Sequence, residues 1–133
     1  IRDTMRIPFE RKGIRGKINL ERGVILGDRD LLLSLLYNLL DNAVKYCDPD
    51  GMIRVTLRGG KHPVILVDNS YMAVGRMELD RLFDRFYRAD KARTYGSGFG
   101  IGLSIAKAIV EKHHGNIKAS PLEDNMIRFQ VSL

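Results

Sequence analysis

The chain has 133 residues, 44% of them hydrophobic and 29% charged, proportions that fit one globular domain able to bury a core. Lys and Arg number 22 against 16 Asp and Glu, a net charge of +6 that favours anionic partners, but the basic residues are scattered outside 81–93 and do not cluster with aromatics as in a nucleic-acid reader. A single cysteine, Cys47, excludes a disulfide framework and a cysteine metal cluster, and no apolar run or leader-like start marks a membrane span or signal peptide.

The sequence starts at Ile1 without an initiator methionine, so a piece of a longer protein is expected, with residues 1–16 as a lead-in. Residues 17–26, KINLERGVIL, carry two short apolar runs around Glu-Arg-Gly and predict a hairpin or strand pair. From Asp30 to Tyr46, Leu32, Leu36, Leu39 and Ala43 recur at helical spacing, and Asp28 or Asp30 can cap the start. DPDG at 48–51 is a turn signal. IRVTLR (53–58) alternates as a strand does, and PVILVD (63–68) is continuously apolar, as in a central strand. Met77, Leu79, Leu82, Phe83 and Phe86 predict a short helix over 77–88. IGLSIAKAIVEKHHG (101–115) predicts another, with Gly115 just past its basic last turn. Residues 116–120 and 126–133 read as closing strands joined through Pro121 to Asn125. The fold class expected is α+β, with helices on one face of a mixed, mostly antiparallel sheet.

Two stretches carry chemistry. Gly96, Gly98, Gly100 and Gly102 alternate just before a helix. Bare N–H groups and a positive helix end attract anions, which points to phosphate. A phosphate loop needs Gly-Lys-Ser/Thr, which is missing, and no strand precedes as the dinucleotide fingerprint requires. A flexible loop packed on the sheet fits the glycines as well. On the first helix Asn38, Asn42 and Lys45 share one face, opposite much of the leucine stripe. Amide oxygens suit a hard cation such as Mg²⁺ and the lysine suits phosphate, although a polar solvent face reads the same.

Together, NLLDNAVKY (38–46), LFDRFYRAD (82–90) and GSGFGIGLSIAKAIVEKHHG (96–115) resemble the N, F and second glycine boxes of sensor histidine kinase catalytic domains. These belong to the superfamily that includes the gyrase-type and mismatch-repair ATPases. The resemblance covers about Gly27 to Leu133. It implies a two-layer, Bergerat-type sandwich with about three helices and an ATP lid over 89–99. It also implies Mg²⁺ on Asn42 and Asn38, phosphate contacts from Lys45, Arg88 and, in the lid, Arg93, and Tyr46 against the nucleotide. Gly98, Gly100, Gly102 and Leu103 would wrap the triphosphate. Phe83 and Phe86 would pack the base of the lid.

By the same resemblance, the γ-phosphoryl group of ATP goes to a histidine on a separate dimerisation segment and then to a response regulator. His62, His113 and His114 do not resemble that acceptor, so autophosphorylation of this chain alone is not expected. Because the family's dimerisation resides in the other segment, the fragment is expected to be monomeric, and as the catalytic domain of a membrane-anchored kinase it is expected to be cytoplasmic. No nucleic acid is expected as a partner. The first glycine box departs from the family: VDNSYMAVG (67–75) has no glycine before Gly75. Spacing back from Phe83 puts Asn69 where the family has its adenine-reading aspartate, while Asp68 has the family's chemistry one residue off. That departure leaves a second reading open, a protein-docking module whose nucleotide site has degenerated.

Overall fold

The computed structural model describes residues 13–22, 27–72, 79, 82–84 and 102–133. In chain order the elements are strand β1 (Arg15–Leu20), helix α1 (Arg29–Tyr46), strands β2 (Met52–Arg58) and β3 (Val64–Ser70), helix α2 (Gly102–Lys112) and strands β4 (Asn116–Leu122) and β5 (Met126–Ser132). The five strands form one sheet in the order β1-β2-β3-β5-β4. The β2–β3, β3–β5 and β4–β5 pairs are antiparallel, and β1 lies parallel to β2. The α+β class and mixed sheet are as expected, and the continuously apolar β3 is the middle strand.

Alternation gives the sheet two unlike faces. Ile53, Ile65, Val67, Ile127, Phe129 and Val131 turn toward the helices and join Leu35, Leu39, Ala43, Ala106, Ile109 and Val110 in the core. The opposite face carries Arg54, Asp68 and Arg128 side by side in register. At the ends of the strands the details follow residue chemistry. Pro121 lies in β4 opposite Ile127, so the strand runs further than expected; proline is tolerated because β4 is an edge. The turn shortens to 123–125, where Asp124 and Asn125 adopt left-handed φ of 61° and 55°, as short polar side chains can.

Asp28 caps α1, its Oδ1 accepting from the N–H groups of Asp30 and Leu31 at 3.0 and 3.2 Å. The fully buried stripe of α1 is Leu35, Leu39 and Ala43, with Leu32 and Leu36 only partly buried against it. β1 pairs in parallel with β2; of the hairpin or strand pair expected over 17–26, the second run, 23–26, lies outside the described residues. One sequence expectation changes. At the end of α2 the left-handed residue is His114, φ 59°, not Gly115. Its N–H bonds Glu111 O at 3.0 Å and the Gly115 N–H bonds Val110 O at 2.9 Å, the paired bonds of a Schellman close. Gly115 is needed for another reason: a Cβ there would run into the carbonyl of Ser132 on β5. Of the expected helix over 77–88, only Leu79 and 82–84 are described; the Leu82 N–H bonds Leu79 O at 3.3 Å.

Candidate functional site

The two helices run antiparallel across the sheet, and side chains fix them at two places. At one end the backbone N–H of Asp28 donates to His113 Nε2 at 3.1 Å, while His113 Nδ1 lies 2.8 Å from Ile109 O. Gly27 lies so close to that ring that a Cβ would strike it. Further along α1, Asn38 meets the start of α2: its Oδ1 would stand 3.6 Å from a Cβ at Gly102. The first turn of α2 holds no acidic residue, so its positive end is not neutralised from within the helix. Leu103 is partly buried against the core.

Asn38, Asn42, Lys45 and Tyr46 are all half-buried. With ~100° of turn per residue, the two asparagines border the Leu35–Leu39–Ala43 stripe and do not stand opposite it, as the spacing alone had suggested. They therefore lie at the rim of the core, where α1 meets α2. Asn38 Nδ2 is 3.5 Å from Ser34 Oγ, and Lys45 pairs with Asp41 at 2.9 Å. The Tyr46 ring stands edge-on to Tyr71, centroids 6.3 Å apart. By spacing back from Phe83, Tyr71 falls where the resembled first glycine box has a glycine. Among the described residues no three His, Cys, Asp or Glu are grouped to hold a metal. A cation here would rest on amide oxygens, water and phosphate, which is the donor set Mg²⁺ accepts.

Asp68 and Asn69 are both fully buried and point to opposite faces of the sheet. Asn69 sits on the helix side. Its Nδ2 donates to Ser70 O at 3.1 Å, while its Oδ1 has no hydrogen-bond partner among the described residues. A buried carbonyl without a donor costs roughly 1–3 kcal/mol, and a ligand bringing an N–H would remove that cost. Asp68 sits on the other side and is held by two arginines. Arg128 Nε donates to Oδ1 at 2.8 Å and Nη2 to Oδ2 at 3.0 Å, and Arg54 Nε also reaches Oδ2 at 3.0 Å. The hydrogen bonding of Asp68 raises Arg128 above the ordinary guanidinium value; burial opposes this and the carboxylate's charge adds to it. This placement separates Asp68 from the other candidates, because the whole sheet lies between it and the helices.

Phe83 stands edge-on to Phe129 at 6.1 Å and Leu82 is buried, so the start of the F box packs on the core as expected of it. Phe86, Arg88, Arg93, Gly98 and Gly100 lie outside the described residues. Sequence reading missed Arg54 and Arg128, although both alternate with apolar residues in their strands and the outward side of that alternation was the available signal.

The comparisons with known proteins follow the same geometry. Residues 27–133 match the family described as histidine kinase-, DNA gyrase B-, and HSP90-like ATPase. A probable sensor protein, PcoS of Escherichia coli, is 38% identical over 113 residues, covering 84% of this chain and 24% of its own length. The sensor protein DltS of Streptococcus agalactiae is 37% identical over 110 residues, covering 82% of this chain and 28% of its own. The chain thus spans about a quarter of the length of these curated relatives. Among solved structures, the mycobacterial sensor histidine kinase MprB superposes with a TM-score of 0.81 at 26% identity, over 95% of this chain and 86% of that one. With a family match over 27–133 and such relatives across most of its length, the chain belongs to the histidine kinase-, gyrase B- and HSP90-like ATPases, as a catalytic ATP-binding domain of the sensor histidine kinase kind.

Proposed function

We propose that the domain binds Mg-ATP between α1, β3 and the start of α2 and donates the γ-phosphoryl group to a histidine on a separate segment, for relay to a response regulator. The observation that carries this reading is the meeting of Asn38 with Gly102 at a helix end that has no acid in its first turn, with the Asn69 carbonyl, which has no partner among the described residues, on the same side of the sheet. Asn69, and not Asp68, accepts from the adenine amine. Asn38 and Asn42 hold the metal, which supplies charge neutralisation across the phosphates. Lys45 exchanges Asp41 for phosphate, and the Tyr46 ring lies against the nucleotide. The N–H groups at Gly102 and Leu103 face phosphate oxygens. Arg88 and Arg93 are assigned the γ-phosphate by their motif positions alone, and Gly98 and Gly100 the closing lid. Phosphoryl transfer asks for positioning and charge compensation more than for covalent chemistry, and these groups supply both.

The relatives carry the names of sensor proteins, which supports reading the chain as a cytoplasmic, monomeric fragment of one. No described helix is long and apolar enough to cross a membrane. The second reading, a docking module without kinase activity, is favoured by Tyr71 filling a glycine position against Tyr46. Calorimetry with a non-hydrolysable ATP analogue in excess Mg²⁺ tests the first reading. Saturable heat is expected from the wild type, and Asn42→Ala should abolish it. Silence from the wild type, or an Asn42→Ala variant that binds equally well, would reject the site. Binding without phosphorylation of a cognate histidine segment supplied in trans favours the second reading.

A further inference from the structure

The sheet face turned away from the helices is not simply a solvated surface. Its strand positions carry Arg15, Lys17, Arg54, Arg58, Lys118 and Arg128, with Asp68 as the one carboxylate among them. Register places Lys17, Arg54, Asp68, Arg128 and Ser120 in one row across all five strands, at roughly 4.8 Å per strand. In the middle of that row a single buried carboxylate serves two guanidinium groups. Arg54 and Arg128 each spend two kinds of N–H on Asp68, out of the five N–H donors a guanidinium carries. Both side chains remain partly exposed, 32% and 25%. Asp68 thus fixes two arginine forks in place while leaving one positive charge and several donors directed outward.

We propose that this face docks an acidic segment of a partner protein, whose carboxylates bridge Arg54 and Arg128 and extend along the row to Lys17. Planar forks held in fixed register match carboxylates in bidentate fashion, and a pre-fixed arginine loses less rotamer freedom on binding. Other occupants fit worse. No aromatic residue occupies these strand positions, so single-stranded bases have nothing to stack on. Among the described residues the exposed large apolar ones, Leu20, Leu33, Tyr37, Met72 and Ile105, lie on the helix side or beyond the strands. The apolar positions of this face, Met52, Val64, Leu66, Leu122 and Met126, are buried or half-buried, so the face lacks the exposed apolar anchors of a membrane-surface binder. The chain's own residues 1–12 carry four cations against two acids, and the whole chain is +6. Neither that segment nor a second copy is complementary.

The test uses the full chain, labelled with ¹⁵N, and a short glutamate-rich peptide carrying a fluorophore. Saturable binding is expected, weakening as salt rises, with shifts at the Arg54 and Arg128 Nε–H signals and none at the Asn42 side chain. Lys17→Glu, which touches neither Asp68 nor the helices, should weaken the peptide about fivefold, the effect of reversing one partly screened charge, with the melting temperature unchanged. Three results would overturn the proposal. One is no binding at low salt. The second is a Lys17→Glu variant that binds as tightly as wild type. The third is tight binding to anionic vesicles or duplex DNA that the peptide does not displace.

Discussion

Changing Asp68 to alanine leaves two guanidinium groups facing each other across the sheet with no carboxylate between them. Breaking such a buried arrangement from one side costs about 3 kcal/mol, so Asp68→Ala should lower the urea midpoint sharply. Asn69→Ala removes a carbonyl that has no donor among the described residues, and stability should change little. Nucleotide affinity should separate the two variants in the opposite sense. Losing a buried acceptor for the adenine amine costs about tenfold in binding, on the order of 1.4 kcal/mol, whereas Asp68→Ala that still folds should bind normally. If Asp68→Ala weakens ATP-analogue binding and Asn69→Ala does not, the adenine reader is misassigned. Because Asp68 holds Arg128 above its ordinary value, the stability that this guanidinium draws from the carboxylate is lost as pH rises through that raised value.

Helix ends and strand edges show what local pattern can and cannot reveal. The close of α2 looks from sequence like a glycine stop, yet His114 takes the left-handed φ and Gly115 answers to a crowding carbonyl on β5. Gly115→Ala should therefore cost about 1–3 kcal/mol by forcing β5 or the helix end to move, and His114→Gly should cost nothing measurable; equal effects in thermal melts would contradict this division. The β2, β3, α1 and α2 spans were legible because apolar period alone marks them. The parallel pairing of β1 was not, since Lys17 meets Arg54 only through a crossover that no local signal encodes. The split between Asp68 and Asn69 was legible in principle: once PVILVD is a strand, neighbours must point to opposite faces. Only register, which spans the sheet, reveals that Arg54 and Arg128 close on the same carboxylate.

At the scale of the molecule, one core joins the two layers, and Leu39, fully buried at its centre, touches the logic of both. Leu39→Ala should cost about 2–5 kcal/mol, a large part of the ~5–15 kcal/mol such a domain has. Helical circular dichroism and tyrosine fluorescence should then fall together at one lowered urea midpoint; separate midpoints would mean that helices and sheet are independent units. The site residues of the N box were legible as a group only through their resemblance to a family, because three polar residues at helical spacing are chemically ordinary until Asn38 is seen against Gly102. The hydrogen bond from Asp28 to His113 has a mechanical consequence. It makes a fulcrum of the remote end of α2, and the helix's 11 residues form an arm of roughly 15 Å. A tilt of the helix about His113 would therefore be largest at Gly102, the end that meets Asn38.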